Sequence, residues 1–145
     1  MARDRIHNAV KNALVKDGWT ITDDPFYLKD KKGELELEVD LAAERSIAAE
    51  RGNRKIAVEI KSFLGRSLIT EFYAAFGQYR TYAHLLNEIE PERELFLAVS
   101  SVVFNDFFQL ETIQEIVRKD SLSLLAVNVQ TEEVTQWINW RATAK

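Results

Sequence analysis

Apolar positions along the chain change period several times, and each change marks an element. Ile6, Val10, Ala13 and Leu14 recur at helical spacing, so residues 4–17 read as a helix, stopped at Asp17-Gly18. Trp19 to Thr22 reads as a short strand, turned by Asp24-Pro25. Phe26 to Lys29 leads into a second turn, Asp30-Lys31-Lys32-Gly33. From 34 to 40 the alternation is strict. Leu35, Leu37 and Val39 take one face of a strand, and Glu34, Glu36, Glu38 and Asp40 take the other. Residues 44–53 have no clear period. Ser46 to Glu50 fits a strand edge or a helical turn, and Arg51 to Arg54 reads as a turn. Ala57 to Phe63 is short and apolar and predicts the central strand.

Ser67 predicts a helix N-cap, and the helix it opens runs to about Asn87. Ile69, Phe72, Phe76, Tyr79, Ala83 and Leu86 form its apolar stripe, with Glu71, Ala75, Gln78 and Tyr82 on the stripe beside it. Glu94 to Val102 is almost wholly apolar, as in a strand covered on both faces. Asp106 is the expected cap of a second helix to about Lys119, with Phe107, Phe108, Ile113, Ile116 and Val117 inward. Ser123 to Val129 and Val134 to Trp137 read as closing strands. The order helix, three strands, helix, strand, helix, strand predicts an α/β fold with a mixed central sheet.

Composition narrows the class. At 145 residues the expectation is a single domain over 1–145, with a sizeable core. Absence of cysteine excludes disulfides and thiolate metal sites. The charged start Met-Ala-Arg-Asp-Arg is not followed by an apolar core, so no signal peptide is expected. The longest apolar stretch, Leu95 to Phe104, contains two serines and is too short for a bilayer, so the expected location is cytoplasmic, without membrane contact. There is no glycine-rich phosphate loop, no HExxH or Cys-His zinc spacing, and no serine elbow.

The pair Glu59 and Lys61 changes the picture further. Residues two apart on a strand share a face, so these two project together. Such a pair is ordinarily a solvated ion pair of little energetic weight. Here a second acid, Asp40, ends the preceding strand against the apolar run Leu41-Ala42-Ala43. Two carboxylates supply hard oxygen ligands for Mg²⁺ or Mn²⁺, and a neighbouring ammonium can orient water and offset charge on a phosphate under attack. Gln78 and Tyr82, four apart, share a face of the helix that follows. A solvated face accounts for Glu34 and Glu36, and His84 reads as structural.

Net charge is −4, unfavourable in bulk for a nucleic-acid binder, but it is unevenly spread. Residues 1–66 carry a balance of +1 and the remainder −5. A DNA-facing surface would draw on Arg3, Arg5, Lys11, Lys16, Arg51, Arg54, Lys55 and Arg66. Scattered solubility charge explains the same residues.

The order Asp40, Glu59-x-Lys61, Gln78-x-x-x-Tyr82 resembles the PD-(D/E)xK nuclease superfamily, with Val39 where the name-giving proline would stand. Asp17 to Thr22, Val39-Asp40-Leu41, Ile47 to Glu50, Ile56 to Gly65 and Gly77-Gln78 resemble the XisH family, the fdxN-element excision controlling factors found mainly in cyanobacteria. The resemblance implies a restriction-endonuclease-like mixed central sheet flanked by helices. It implies a Mg²⁺- or Mn²⁺-dependent DNA endonuclease-type domain in DNA-element excision. Asp40, Glu59 and the carbonyl of Ile60 would hold the metal, and Lys61 would orient water. Gln78 would hold Lys61 or a phosphate, and Tyr82 would buttress the backbone. His7, on the first helix, is either a further metal ligand or a surface histidine.

The resemblance also carries a second implication, of a non-catalytic regulator acting with a XisI-like partner. The acidic run Glu88, Glu90, Glu92, Glu94 and the late aromatics Trp137 and Trp140 would then supply contacts. Self-association as a homo-oligomer stays open.

Overall fold

The computed structural model describes residues 2–47 and 52–140, with the backbone alone at residues 2–4, 47 and 52. Helix α1 (Ala2–Lys16) leads into strands β1 (Thr20–Asp23), β2 (Phe26–Lys29), β3 (Glu36–Val39), β4 (Leu41–Ile47) and β5 (Gly52–Ile60). Helix α2 (Leu68–Ile89) follows, then β6 (Arg93–Ser100) and α3 (Ser101–Asp106). A 3-10 turn (Phe107–Gln109), α4 (Glu111–Lys119), β7 (Leu124–Asn128) and β8 (Glu133–Ile138) complete the order.

Six strands form one mixed sheet in the order β1-β4-β5-β6-β7-β8. The central β5, β6 and β7 are parallel and the outer pairings antiparallel. β2 and β3 make a separate antiparallel ribbon. The architecture is the expected restriction-endonuclease-like α/β fold, a mixed sheet flanked by helices.

Alternation along the central strands divides the core in two. Val58, Phe96, Ala98, Leu125 and Val127 face α1, where Ile6, Val10, Ala13 and Leu14 are buried. Ala57, Leu95, Leu97, Val99 and Leu124 face α2 and α4. Both faces of β6 are therefore covered, and that explains its apolar run.

Several boundaries differ from the sequence reading. Five strands, not three, precede α2, because 41–47 and 52–60 pair as a long antiparallel arm across the ambiguous region. The expected turn at Arg51–Arg54 is instead, from Gly52 on, the start of β5, while residues 48–51 lie outside the described set. β6 stops at Ser100, whose hydroxyl accepts the Val103 N–H at 3.2 Å and caps α3. Asp106 ends α3 and makes no cap, so the expected single helix is broken by the 3-10 turn.

Ser67 caps α2 as expected, accepting the Thr70 N–H at 3.3 Å. Its buried stripe is rotated toward Ala75, Tyr79 and Tyr82, leaving Ile69 40% exposed. The tyrosines can be buried because their hydroxyls find backbone carbonyls, Leu95 for Tyr79 and Glu38 for Tyr82. Among the described residues no helix is long and apolar enough to cross a membrane.

Candidate active site

Asp40 stands where the chain leaves the β2-β3 ribbon and enters the main sheet. β3 ends at Val39, and β4 begins at Leu41 opposite Val58. That register brings Asp40 level with Glu59. The Asp40 carboxylate accepts the Ile60 N–H at 2.7 Å, and the Glu59 carboxylate accepts the Asp40 N–H at 3.3 Å. Lys61 projects on the same side as Glu59, as the two-residue period requires, with Nζ 3.5 Å from Oε2. The Lys61 N–H reaches the Ala98 carbonyl at 3.0 Å, which extends pairing with β6 past the last residue of β5.

Glu59 is only 6% exposed, while Asp40 and Lys61 are half-buried. Burial pushes the Glu59 carboxyl up to about 7, and the Asp40 charge adds to the shift. Attraction by Lys61 opposes both without cancelling them. Tyr82, on α2, donates to the Glu38 carbonyl at 3.0 Å, two residues before Asp40. Burial, and then the charges of Glu59, Asp40 and Glu38, raise the Tyr82 phenol to about 12, so it remains a donor at neutral pH.

These donors suit a hard divalent cation. Two carboxylates converge from adjacent chain segments, one of them held partly protonated by burial and by the other. A cation between them would reverse that shift. Among the described residues no group of three or more His, Asp or Glu side chains gathers as a metal cage. A cation here would have to be held by Asp40, Glu59 and backbone oxygen such as the Ile60 carbonyl.

Other expected residues fall at varied distances from this centre. Gln78 is exposed on α2 and, among the described residues, makes no side-chain hydrogen bond to Lys61 or to another group. His7 Nε2 lies 2.9 Å from Asp24, which also accepts from Lys11 at 2.8 Å. Burial opposes ionisation of Asp24, but Lys11 and His7 together hold its carboxyl below the usual range. Arg54 pairs with Glu94 at 2.8 Å and lies over the Trp19 ring. Lys55 is four residues back along β5 from Glu59, roughly 13 Å at strand rise. Arg66 is exposed on the loop after β5, at the site's end of that strand. The side chain of Arg3, and all of Arg51, lie outside the described residues.

Two contributors carry no clear sequence signal. The Glu38 carbonyl is a backbone group, found only through the fold. Phe63 adopts φ 53°, a left-handed conformation costly for a bulky residue, and its buried ring packs against Phe107 and Phe108. This turn ends the path of β5 just after Lys61.

The acidic run of the second half is largely spent internally. Glu88 pairs with His84, Glu90 with the buried Arg93, and Glu94 with Arg54 and Asn139. Trp137 packs edge-on to Phe96 at 4.9 Å and against Trp19 at 5.9 Å. Trp140 donates to the Leu122 carbonyl at 2.9 Å. Both indoles therefore serve the interior.

Comparison with known proteins places this chain in a family. No curated protein matches the chain. A crystal structure of an fdxN element excision controlling factor protein from Anabaena variabilis is 43% identical, with a TM-score of 0.85, covering 94% of this chain and 100% of its own. A crystal structure of an XisH family protein from Nostoc punctiforme PCC 73102 is 42% identical, with a TM-score of 0.84 and the same coverage. The family profile described as XisH protein matches residues 1–135, and the chain belongs to the XisH family.

Proposed function

We propose that this chain is a metal-dependent DNA endonuclease of the PD-(D/E)xK type that acts in controlling excision of a DNA element. The observation that carries the reading is the convergence of Asp40, Glu59 and Lys61 at the junction of the two sheets. The excision role rests on the printed description of the Anabaena variabilis relative as an excision controlling factor.

In this reading Asp40, Glu59 and the Ile60 carbonyl hold Mg²⁺ or Mn²⁺. When bound, the ion polarises a phosphodiester and lowers the pKa of water. Lys61 orients the attacking water and offsets charge developing on the phosphate. Glu59 keeps the ammonium directed into the site through its ion pair. Tyr82 fixes the strand that delivers Asp40. Gln78, with its amide uncommitted among the described residues, is available to a DNA phosphate. In a role through docking to a XisI-like protein, Trp137 and Trp140 would offer only part of each ring, since both are half-buried and also hold the interior.

Calorimetric titration tests the site. Mn²⁺ should bind the parent and fail to bind Asp40→Asn and Glu59→Gln. Equal binding by parent and Asp40→Asn would remove the basis of the reading.

A further inference from the structure

At the carboxyl ends of the parallel strands lies a cavity, on the α1 side of the sheet, of about 500 Å³. Its polar walls are Arg5 from α1, Ser62 after β5, Ser101 after β6, and Asn128 and Gln130 from the β7-β8 turn. Open α/β sheets favour ligands at this end of their strands.

Three observations give the cavity a chemical character. Among the described residues no carboxylate lines it, although the chain as a whole carries −4. Among the described residues the Arg5 guanidinium has no ion-pair partner, and the side chains of Ser62, Ser101 and Gln130 make no hydrogen bond. The walls are also fixed in advance. Asn128 Oδ1 accepts the Gln130 and Thr131 N–H groups at 2.9 and 3.0 Å. Lys16 donates to the Thr131 carbonyl at 2.8 Å, and Asn12 to Glu132, so α1 is tied to the turn that faces Arg5.

Ser62 follows Lys61 directly, one Cα spacing of ~3.8 Å along the chain. Lys61 pairs with Glu59 and Ser62 lines the cavity, so the candidate site and the cavity meet at consecutive residues. A nucleic-acid strand presents a phosphate every ~3.4 Å of helix rise, close enough for a neighbour of the reacting phosphate to enter. We infer that this groove receives the phosphodiester backbone flanking the bond at Lys61. Arg5 is its cation, and Ser62, Ser101 and Gln130 are its neutral donors. The inference rests on the nuclease reading for the position of the reacting bond, and it assigns Arg5 to binding alone.

The test is fluorescence anisotropy of labelled duplex and single-stranded oligonucleotides with the full chain, in Ca²⁺ so that binding is read without turnover. Arg5→Ala should weaken binding about tenfold and reduce the salt slope by about one, with Arg5→Lys restoring most of the loss. Gln130→Ala should weaken binding less and leave the salt slope unchanged. Lys29→Ala, a cation outside the groove, should have no effect. Unchanged affinity and slope in Arg5→Ala would overturn the assignment. So would parent protein that binds inorganic phosphate or a mononucleotide but neither oligonucleotide. Arg5-dependent binding without any cleavage in Mg²⁺ would uphold the groove and defeat the nuclease reading instead.

Discussion

Asp40 and Glu59 hold one another through the backbone: the Asp40 N–H donates to Glu59, and the Asp40 carboxylate accepts from the residue after Glu59. Each acid is thereby fixed by the chain that carries the other. The clasp orients both carboxylates before any ligand arrives, and it keeps two like charges close in a setting where one is nearly excluded from water. Such an arrangement costs stability in the free protein unless a proton or a cation relieves it.

That cost sets a pH dependence. The Glu59 pKa is raised from 4.5 to about 7 on folding, so the folded protein binds the extra proton between those values. The corresponding stabilisation is fully present below pH 4.5 and is lost as pH rises through 7. Without metal, the melting temperature of the parent relative to Glu59→Gln should fall across this window and level off above it. The contribution is on the order of 3 kcal/mol. Saturating Mg²⁺ at pH 8 should raise the parent's melting temperature and leave that of Glu59→Gln nearly unmoved. A parent-minus-variant difference that stays flat from pH 4.5 to 8 would contradict the buried-pair account.

Tyr82 should act on Asp40 at a distance. Tyr82→Phe removes the donor to the Glu38 carbonyl while keeping the ring. The expected loss of stability is about 1 kcal/mol. Metal affinity should fall roughly tenfold, the usual scale for a group that orients a ligand. Unfolding curves and Mn²⁺ titration read the two effects separately, and loss of stability with unchanged metal affinity would make Tyr82 purely structural.

Trp137 should behave as a core residue. Its ring lies between Phe96 and Trp19, so Trp137→Ala should cost about 3 kcal/mol in denaturant unfolding. A variant of parental stability that fails to capture a XisI-like protein would restore the indole to an interface.

Much of this was legible in the sequence because the local signals were strong. The i, i+2 spacing of Glu59 and Lys61 is realised as a 3.5 Å ion pair, and the Ser67 cap and α1 core face stand as read. What escaped reading depends on distant partners. The alternation of 34–40 marks a strand but cannot say which sheet owns it, so the switch at Asp40 was invisible. The apolar run through Val102 does not distinguish strand from helix, and the break at Ser100 depends on its cap. Tyr79 falls on the predicted apolar stripe, but Tyr82 falls on the stripe beside it. Their burial depends on carbonyls supplied by β6 and β3. Arg93, 6% exposed, is buried by Glu90, the Ile56 carbonyl and the Phe26 ring, of which only the Glu90-x-x-Arg93 spacing is visible locally.

The central claim is that Asp40, Glu59 and Lys61 form one phosphodiester-cleaving centre, and cleavage itself tests it most directly. Purified parent and Lys61→Ala should be compared on supercoiled plasmid and labelled duplex with Mn²⁺ or Mg²⁺, with chelator as control. Parent should cleave and stop on chelation. Lys61→Ala should still bind metal while cleaving on the order of a hundredfold more slowly. Equal cleavage by parent and Lys61→Ala, or no cleavage by metal-loaded parent on either substrate, would contradict it.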